Sequence, residues 1–373
     1  MFIKSLELKK FRNYDNLKLS FNEKVNLIFG NNAQGKTNLV ESIYLSSFGK
    51  SFRTGSDYKL IKFGEKEAFI KVEAEKESFD TEVEIIIKLK SSSTTDKFVK
   101  KDRKNITRAS ELLNNILIVI FSPEDLKIVK DEPEKRRRFI NIELCQISLS
   151  YYDSFVNYRK TLLQRNTYLK ELNINPDILD AWDVQLAKYG ASIIKLREKY
   201  IEKIAKISER IHKGITGNEE NLIIKYEPNL SIQPTVNDQE ERFYEALKLS
   251  YESDLKNRST QVGPHRDDIS FFVNGIDMRS FGSQGQQRTC ALSLKLAELS
   301  LIKEDTGENP ILILDDVMSE LDQKRQEFLI ETLKDNQLFI TTTDMDKSIL
   351  SRIKKASVFY VEDGKVIKKE DLE

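Results

Sequence analysis

A glycine-rich loop near the N-terminus constrains this chain more than any other stretch. It fits the pattern G-x-x-x-x-G-K-[ST] and consists of Gly30, Asn31, Asn32, Ala33, Gln34, Gly35, Lys36 and Thr37. An apolar run of strand length, Val25 to Phe29, precedes it, and apolar residues at helical spacing follow it. Glycines let successive backbone N–H groups point at phosphate oxygens, and the following helix adds its positive end. The pattern therefore predicts a strand–loop–helix nucleotide site.

The last residues of this loop carry the predicted chemistry. Lys36 can reach the β- and γ-phosphates of ATP, which gives it a catalytic role, and the Thr37 hydroxyl can ligate Mg²⁺. We add the next residue, Asn38, to the predicted nucleotide-binding set. ATP and Mg²⁺ are thus the expected cofactors.

Bulk composition sets broad limits on the protein class. A chain of 373 residues is long enough for two or three domains. Lys plus Arg and Asp plus Glu both total 60, so a DNA-binding surface would need local segregation of charge. No stretch has the length and apolarity of a signal peptide or a membrane span. Two distant cysteines, Cys145 and Cys290, fit a reducing environment, so we expect a cytoplasmic protein without a membrane partner.

The first 90 residues alternate apolar and polar side chains, which is typical of half-buried antiparallel strands. Ser91 to Thr95 is predicted to be an exposed hairpin tip, and a basic patch at residues 97–104 follows it. This patch is either a solvated hairpin, which we favour, or an edge that contacts phosphates. Under the second interpretation its candidate DNA-contacting residues are Lys100, Lys101 and Arg103.

The middle of the chain has a helical pattern. A buried strand at Leu117 to Phe121 stops at Ser122 to Asp125, where a helix is expected to begin. Three long helical patterns follow near residues 148–173, 177–213 and 239–256. Because Asn173 to Pro176 separates the first two, they are predicted to fold back as a helical hairpin.

Strand signals return near residue 260. Asn274-Gly275 between apolar runs predicts a hairpin, and Gly282 to Gln286 opens an apolar helix. A buried strand at Ile311 to Leu314, another at Leu338 to Thr342, a short helix and a hairpin at Ser357 to Ile367 complete the pattern. We therefore predict three segments, an N-terminal part at 1–122, a helical insertion at 123–259 and a C-terminal part at 260–373.

Two acids complete the predicted nucleotide site. Four apolar residues that run into Asp315 and Asp316 form a Walker B strand. Asp315 is expected to hold Mg²⁺ and Asp316 to orient the attacking water, which makes Asp316 the second catalytic candidate.

A serine–glycine element supplies a third part. Ser283, Gly285 and Gln286 stand at a helix start, where a serine hydroxyl and glycine amides can bind an anion. Taken alone, this is more simply a serine cap. The order P-loop, large insertion, Ser-x-Gly-Gln, Walker B strand and Ser319 to Asp322 resembles the ABC-type ATPase heads, in which such a loop contacts the nucleotide of a second subunit.

Further strings narrow the resemblance to the RecF family of bacterial recombination-mediator ATPases. Their positions are Phe11–Tyr14, Gly49–Thr54, Phe121–Leu126, Arg136–Phe139, Gly263–Asp268 and Ser283–Arg288. The resemblance implies an α/β fold, an ABC-type, SMC/RecF-like P-loop ATPase head with an inserted, mainly helical lobe. It also implies an ATP-dependent homodimer that binds DNA at single-strand gaps. Its expected partners are RecO and RecR in loading RecA, with roles in DNA replication, DNA repair and the SOS response.

Departures from the wider ABC pattern bear on the rate of hydrolysis. Asp316 stands where Glu is usual, Thr343 replaces the switch histidine, and no Q-loop glutamine follows Phe121. We therefore expect a weak ATPase that works as a clamp-like switch rather than as a motor.

Several charged residues have two interpretations. Arg12 either lies near the nucleotide or is a surface arginine, and Arg53 faces either nucleotide or DNA. The arginines at 136–138 are expected to form salt bridges, and His265 to be structural or to face DNA.

Three rival functions remain open at this point. A transporter ATPase subunit would need a membrane partner, and an SMC-like head that supports a nuclease would need a cutting subunit. In a P-loop kinase the Ser283 loop would have no function.

Overall fold

The computed structural model describes residues 1–77, 79–343 and 355–372. Its strands are β1 (Phe2–Phe11), β2 (Tyr14–Ser20), β3 (Val25–Phe29), β4 (Glu67–Glu75), β5 (Asp80–Leu89), β6 (Thr95–Lys101), β7 (Lys104–Ile106), β8 (Ile118–Phe121), β9 (Leu222–Glu227), β10 (Asp268–Val273), β11 (Ile276–Asp277), β12 (Ile311–Asp315), β13 (Leu338–Thr342), β14 (Ala356–Glu362) and β15 (Lys365–Leu372). Its helices are α1 (Lys36–Phe48), α2 (Pro133–Ile147), α3 (Leu149–Tyr168), α4 (Pro176–Thr216), α5 (Val236–Leu249), α6 (Tyr251–Asn257), α7 (Met278–Phe281), α8 (Gln284–Thr306) and α9 (Gln323–Thr332).

The chain forms two compact units, one of Met1–Asp125 with Ile302–Glu373 and one of Leu126–Leu301. The predicted boundary at residue 122 lies close to the first division, but the predicted boundary at 259 is wrong for the second. Its physical reason is strand pairing: β10 and β11 form a three-stranded sheet with β9 inside the second unit instead of joining a sheet of the first. The strand β9 was not foreseen.

A mostly parallel sheet positions the predicted nucleotide site in the first unit. Its strand order is β15-β14-β3-β13-β12-β8, and only the edge strand β15 runs antiparallel to its neighbour. All residues of β12 are buried, as expected for a strand inside a parallel sheet. Because β3 and β12 are separated only by β13 and run the same way, the P-loop and Asp315 lie at the same edge of the sheet.

The second sheet of this unit is antiparallel, with the order β2-β1-β4-β5-β6-β7. The alternation predicted for the first 90 residues is confirmed in β4, where every second side chain is buried. Residues from this sheet, from the parallel sheet and from α1 share one apolar core, which includes Leu8, Ile43, Ile85 and Ile313. The helix that carries Lys36 and Thr37 therefore packs into the core of the first unit.

The second unit contains the predicted helical hairpin, formed by α3 and α4. Asn175 caps α4, its side chain accepting the backbone N–H of Asp177. Two expectations need correction. The first helical pattern ends at Tyr168 rather than near 173, and Ser122 to Asp125 leads only into a short 3₁₀ turn at Asp125–Lys127. The Ser122 side chain and N–H both donate to the Asp125 carboxylate, which closes this turn locally.

Two remaining predictions concern a short helix and the absence of a membrane span. The short helix predicted between β13 and β14 falls mainly on residues 344–354, which lie outside the described residues. In the part that is described, no helix combines the length and the apolar character required to cross a membrane.

Candidate nucleotide site

The P-loop joins β3 to α1, as the sequence predicts, and two of its glycines are required by close approaches. A Cβ atom on Gly30 would lie 2.3 Å from the carbonyl oxygen of Val361. A Cβ on Gly35, which has φ of 118°, would lie 2.6 Å from Asn13 Nδ2. Any larger residue would displace backbone or the Asn13 amide, so the loop needs glycine at both positions.

Residues from both ends of the chain brace this loop. The backbone carbonyl of Gln34 accepts hydrogen bonds from Asn13 Nδ2 and from the N–H of Gly364, both at 3.0 Å. The N–H of Asp363 donates to Gln34 Oε1 at 2.8 Å, and the Tyr14 hydroxyl donates to the Gly35 carbonyl at 3.0 Å. The β1–β2 turn and the β14–β15 turn thus hold the loop in one conformation. The contacts of these two turns with the loop were not predicted, because nothing in the sequence relates the turns to the loop.

The Lys36 side chain lies inside the loop with 6% of its surface exposed. Its Nζ donates to the carbonyl oxygens of Gly30 at 2.7 Å and Asn31 at 3.0 Å. Burial lowers the pKa of Lys36, and the nearby charges of Asp316 and Asp315 oppose that shift. The ammonium group is therefore held in the cradle where phosphate oxygens are expected.

Thr37 and Asp315 meet at the edge of the parallel sheet. Thr37 Oγ1 donates to Asp315 Oδ1 at 3.0 Å, and Thr341 Oγ1 donates to the same oxygen at 2.8 Å. Burial raises the pKa of Asp315, while the hydrogen bonds from Thr341 and Thr37 oppose the rise. A hydroxyl and a carboxylate are oxygen ligands of the kind that Mg²⁺ takes, so this pair fits a magnesium–nucleotide site.

Asp316 follows Asp315 with φ of 57°, a left-handed conformation that ends β12. Its N–H donates to Thr341 Oγ1 at 2.9 Å. Thr341 therefore fixes both acids at once, a role that the sequence did not reveal. The available signal was a threonine near the end of the predicted strand at Leu338 to Thr342, which the structure pairs with β12.

Arg12 and Arg53 share one buried partner, the carboxylate of Glu41 on α1, which is fully buried. Arg12 binds it through Nε at 2.9 Å and Nη2 at 2.7 Å. Arg53 Nη1 lies 3.6 Å from Glu41 Oε2 and donates to Asn38 Oδ1 at 2.8 Å. Both arginines thus lie beside the first turns of α1, and the interpretation of Arg12 as a plain surface residue is wrong.

Ser283, Gly285 and Gln286 lie at the start of α8 in the second unit. The Ser283 hydroxyl accepts the N–H of Gln286, and Gln286 Oε1 accepts the N–H of Ser283, both at 3.2 Å. This reciprocal pair is a capping box. Ser283 is exposed, and Gln286 Nε2 also binds Glu220 Oε1 at 2.9 Å. The capping interpretation is therefore correct, and the exposed hydroxyl is compatible with an additional anion contact.

The basic patch lies on β6, on β7 and in the turn between them. Lys100 Nζ is 3.5 Å from Glu84 Oε2, and Lys101 Nζ donates to the carbonyl of Glu111 at 3.3 Å. Arg103 occupies the turn with φ of 66° and is exposed. Two of the three candidate DNA contacts are thus partly engaged within the protein, in keeping with the favoured solvated hairpin.

The arginine string and His265 lie in the second unit, where Arg136 is buried, Arg137 and His265 are half-buried and Arg138 is exposed. The predicted salt bridge is confirmed for Arg136, whose Nε lies 2.6 Å from Asp268 Oδ1. His265 Nδ1 accepts the Tyr158 hydroxyl at 2.7 Å, and its Nε2 donates to the Thr260 carbonyl at 3.0 Å. Burial lowers the pKa of His265 to about 4, so the ring is neutral. Its structural interpretation agrees with these contacts.

Comparison with known proteins gives full-length matches. The family described as "RecF/RecN/SMC N terminal domain" matches residues 2–367. A protein of Agathobacter rectalis called "DNA replication and repair protein RecF" is 45% identical over 370 residues, which cover 98% of this chain and 99% of the relative. A protein of the same name from Clostridioides difficile is 43% identical over 369 residues, 98% of each chain.

Solved structures agree with these matches. "Structure of the recombination mediator protein RecF-ATP in RecFOR pathway" aligns with a TM-score of 0.89 at 38% identity, covering 100% of this chain and 98% of that one. An Smc head bound to the C-terminal winged-helix domain of ScpA aligns with a TM-score of 0.57 at 17% identity, covering 100% and 98%, which shows the fold alone. The predicted fold class, an ABC-type ATPase head of the SMC/RecF kind, is confirmed.

Proposed function

This chain belongs to the RecF family of RecF/RecN/SMC proteins, and from this premise we propose that it is an ATP-dependent recombination mediator in DNA replication and repair. The observation that carries the proposal is the full-length similarity to the ATP-bound RecF recombination mediator. The braced P-loop of this chain supports it, because the same edge of the sheet holds a buried lysine, a hydroxyl and two carboxylates.

ATP binding follows from the groups that the loop presents. The backbone of Gly30 to Thr37, with Asn38 and the Lys36 ammonium group, would hold the phosphates, and Thr37 with Asp315 would hold Mg²⁺. A bound Mg²⁺ ion supplies positive charge that stabilises the phosphoryl group during transfer. Asp316, fixed through Thr341, is the residue that would orient the attacking water.

Slow hydrolysis follows from the side chain at position 316. Aspartate is one methylene shorter than the glutamate common at this place, and its backbone is fixed in a left-handed conformation. The carboxylate therefore has a restricted reach toward a water beside the γ-phosphate. We propose a weak ATPase whose bound state lasts long enough to act as a switch.

Dimerisation gives the Ser283 loop its second role. In this proposal ATP binds the P-loop of one protomer, and the exposed Ser283 hydroxyl, Gly285 and Gln286 of another copy close over it. A twofold dimer then holds two nucleotides. The helix start at α8 offers N–H groups to an anion, which is the physical basis of such a contact.

DNA and protein partners belong to the same proposal. The dimer would bind DNA at single-strand gaps through phosphate contacts and cooperate in the cytoplasm with RecO and RecR in loading RecA. Arg103, which is exposed in the β6–β7 turn, is the strongest DNA-contact candidate among the predicted set. Arg53 is less suited to DNA, because its guanidinium group binds Asn38 and approaches Glu41.

An SMC-like head that supports a nuclease is the second candidate function. In the part of the chain that is described, no group of three or more His, Cys, Asp or Glu residues could hold a metal ion, so a cutting centre would have to be supplied by another protein. Affinity purification that recovers a nuclease rather than RecR and RecO would favour this alternative.

Sedimentation of the purified protein with ATP, with ADP and without nucleotide tests the proposal. The parent is expected to dimerise with ATP alone. Lys36→Ala should fail to bind nucleotide, whereas Ser283→Arg should bind ATP and stay monomeric. Ser280→Arg, a change at a nearby exposed serine, is the matched control and should dimerise. ATP-bound parent protein that remains monomeric at every concentration tested would contradict the dimer model.

A further inference from the structure

Glu41 occupies an unusual position for a carboxylate, since it is completely buried in the middle of α1. A buried carboxylate is strongly unfavourable unless cations and hydrogen bonds surround it. Here Arg12 forms two hydrogen bonds to it, Arg53 approaches one oxygen at 3.6 Å, and the Ser51 hydroxyl donates to the other. One acid on α1 thus binds groups from two other segments, the β1–β2 turn and the stretch that carries Ser51 and Arg53.

The surrounding contacts form a continuous chain that reaches the P-loop. Arg53 Nη1 donates to Asn38 Oδ1 at 2.8 Å, and Asn38 Nδ2 donates to Asn13 Oδ1 at 2.9 Å. Asn13 Nδ2 in turn donates to the Gln34 carbonyl at 3.0 Å. Every link lies within the first unit. Glu41 is therefore connected to the loop through its ion pair with Arg53 and the hydrogen-bonded side chains of Asn38 and Asn13, as well as through α1.

The geometry of α1 places this series of contacts close to the Thr37–Asp315 pair, where Mg²⁺ is expected. Thr37 and Glu41 are four residues apart on α1, so they lie on the same face of the helix. Thr37 binds Asp315, and Arg53 is held one residue away, at Asn38. The Arg53 side chain is 43% exposed, and its guanidinium group retains donors beyond the one that binds Asn38.

The two arginines differ in how many of their N–H groups bind the protein and in the exposure of their side chains. Arg12 uses Nε and Nη2 for Glu41 and Nη1 for the Lys59 carbonyl at 2.9 Å. Its side chain is only 18% exposed. Arg12 is thus mainly the counter-ion of the buried Glu41 side chain, whereas Arg53 is the cation that remains accessible.

We propose that Glu41 is a positioning residue that holds Arg53 beside the first turn of α1 and so sets the preference of the site for ATP over ADP. This inference rests on the proposed ATP-binding function. The extra phosphate of ATP brings additional negative charge next to the Thr37–Asp315 pair, where a fixed cation has most effect. Without Glu41, Arg53 loses its electrostatic tether and samples other rotamers.

The test measures dissociation constants of ATP and ADP for Glu41→Gln in the full-length protein. We expect the ATP-to-ADP affinity ratio to fall about tenfold, the size of one charge-assisted hydrogen bond. Glu73→Gln is the matched control, because Glu73 also binds a serine and a lysine in the same unit yet lies on β4. It should keep the parent ratio.

Two further variants separate positioning from folding. Removing the Glu41 carboxylate leaves the Arg12 cation without its counter-ion, which destabilises the fold. Glu41→Gln combined with Arg12→Gln should therefore recover stability without recovering the preference for ATP over ADP. In an Arg53→Ala background, Glu41→Gln should cause no additional loss of the ratio.

The outcomes are distinct. An unchanged ratio in folded Glu41→Gln protein, or equal tightening of both nucleotides from the added positive charge, would overturn the assignment of Glu41. A parent protein that binds no ATP would instead overturn the proposed function.

Discussion

Thr37 Oγ1 and Asp315 Oδ1 lie 3.0 Å apart, although 278 residues separate them in the chain. The contact joins the start of α1 to the end of β12, the two elements that the sequence identifies as the halves of a nucleotide site. A hydroxyl that donates to a buried carboxylate can turn its lone pairs toward a metal ion, and the carboxylate then acts as the second oxygen ligand.

Thr37→Val should weaken the effect of Mg²⁺ on ATP binding. The substitution keeps the shape of the side chain and removes the hydroxyl, so we expect the affinity gained on adding Mg²⁺ to fall about tenfold. Calorimetric titration of ATP with Mg²⁺ and with a chelator measures it. Ser42→Ala, which removes another hydroxyl of α1, is the control and should behave like the parent. Equal Mg²⁺ dependence in Thr37→Val would contradict the metal assignment.

Thr341→Val should lower hydrolysis more than it lowers binding. The change removes one hydrogen bond from Asp315 and leaves the N–H of Asp316 without its acceptor, so the second acid loses its fixed orientation. Single-turnover hydrolysis is expected to slow about tenfold, with ATP affinity within about threefold of the parent. Thr332→Val, on α9, removes a hydroxyl that donates only to a helix carbonyl and should change neither quantity. A parent-like hydrolysis rate in Thr341→Val would contradict the proposal that Thr341 orients Asp316 for hydrolysis.

Acid should destabilise the protein partly through His265. Its pKa is about 4 in the fold and about 6.5 in the unfolded chain, so the unfolded state binds the proton first as pH falls. Stability from this residue is complete above pH about 6.5 and is lost progressively down to pH about 4. Between pH about 7 and 5 the parent should lose about 2 kcal/mol more unfolding free energy than His265→Gln. Chemical denaturation at both pH values measures this difference, and equal losses would refute it.

Asp267→Asn should destabilise the second unit. Asp267 is almost fully buried and accepts hydrogen bonds from Arg197 Nη1 at 2.7 Å, from the N–H of Asn229 at 2.9 Å and from the Tyr226 hydroxyl. Removing its charge leaves the Arg197 cation buried, which costs about 3 kcal/mol. Denaturant unfolding measures the loss. Glu202→Gln breaks an exposed pair with Lys206 and should cost less than about 0.5 kcal/mol, so similar losses in both would contradict the network.

Arg103→Ala should weaken binding to gapped duplex DNA and lower the salt dependence of that binding. One lost phosphate contact reduces the slope of log affinity against log salt by about one. Fluorescence anisotropy over a range of salt concentrations measures the slope. Lys88→Ala removes an exposed cation from the neighbouring strand β5 and should leave the slope unchanged. An unaltered slope in Arg103→Ala would move the DNA surface elsewhere.

Elements with their own local signal were predictable from the sequence. Val25 to Phe29 is a strand with the predicted bounds, and Asn274-Gly275 forms the predicted turn, with φ of 50° and 82°. In each case a few adjacent residues fix the backbone, an apolar run beside a glycine loop or a pair that tolerates positive φ. The Walker B strand at Ile311 belongs to the same class.

Features that depend on distant partners were not predictable. A salt bridge was expected for Arg136 on α2, but its partner could not be named, because Asp268 lies 132 residues away in the chain. The shared role of Glu41 was hidden for the same reason. It needs the β1–β2 turn and the segment at Arg53 to converge on α1, which is a property of packing.

The bracing of the P-loop by Gly364 has a consequence for how the protein is made. The loop leaves the ribosome early, but its final clamp is translated about 330 residues later, which takes roughly 20 to 60 s at about 5–20 residues per second. The parallel sheet has the same delay, since β3 is flanked by β13 and β14. A nascent chain therefore carries an incomplete phosphate cradle until β13, β14 and the turn at Gly364 have been synthesised, and a fragment that stops before them should be unable to retain ATP.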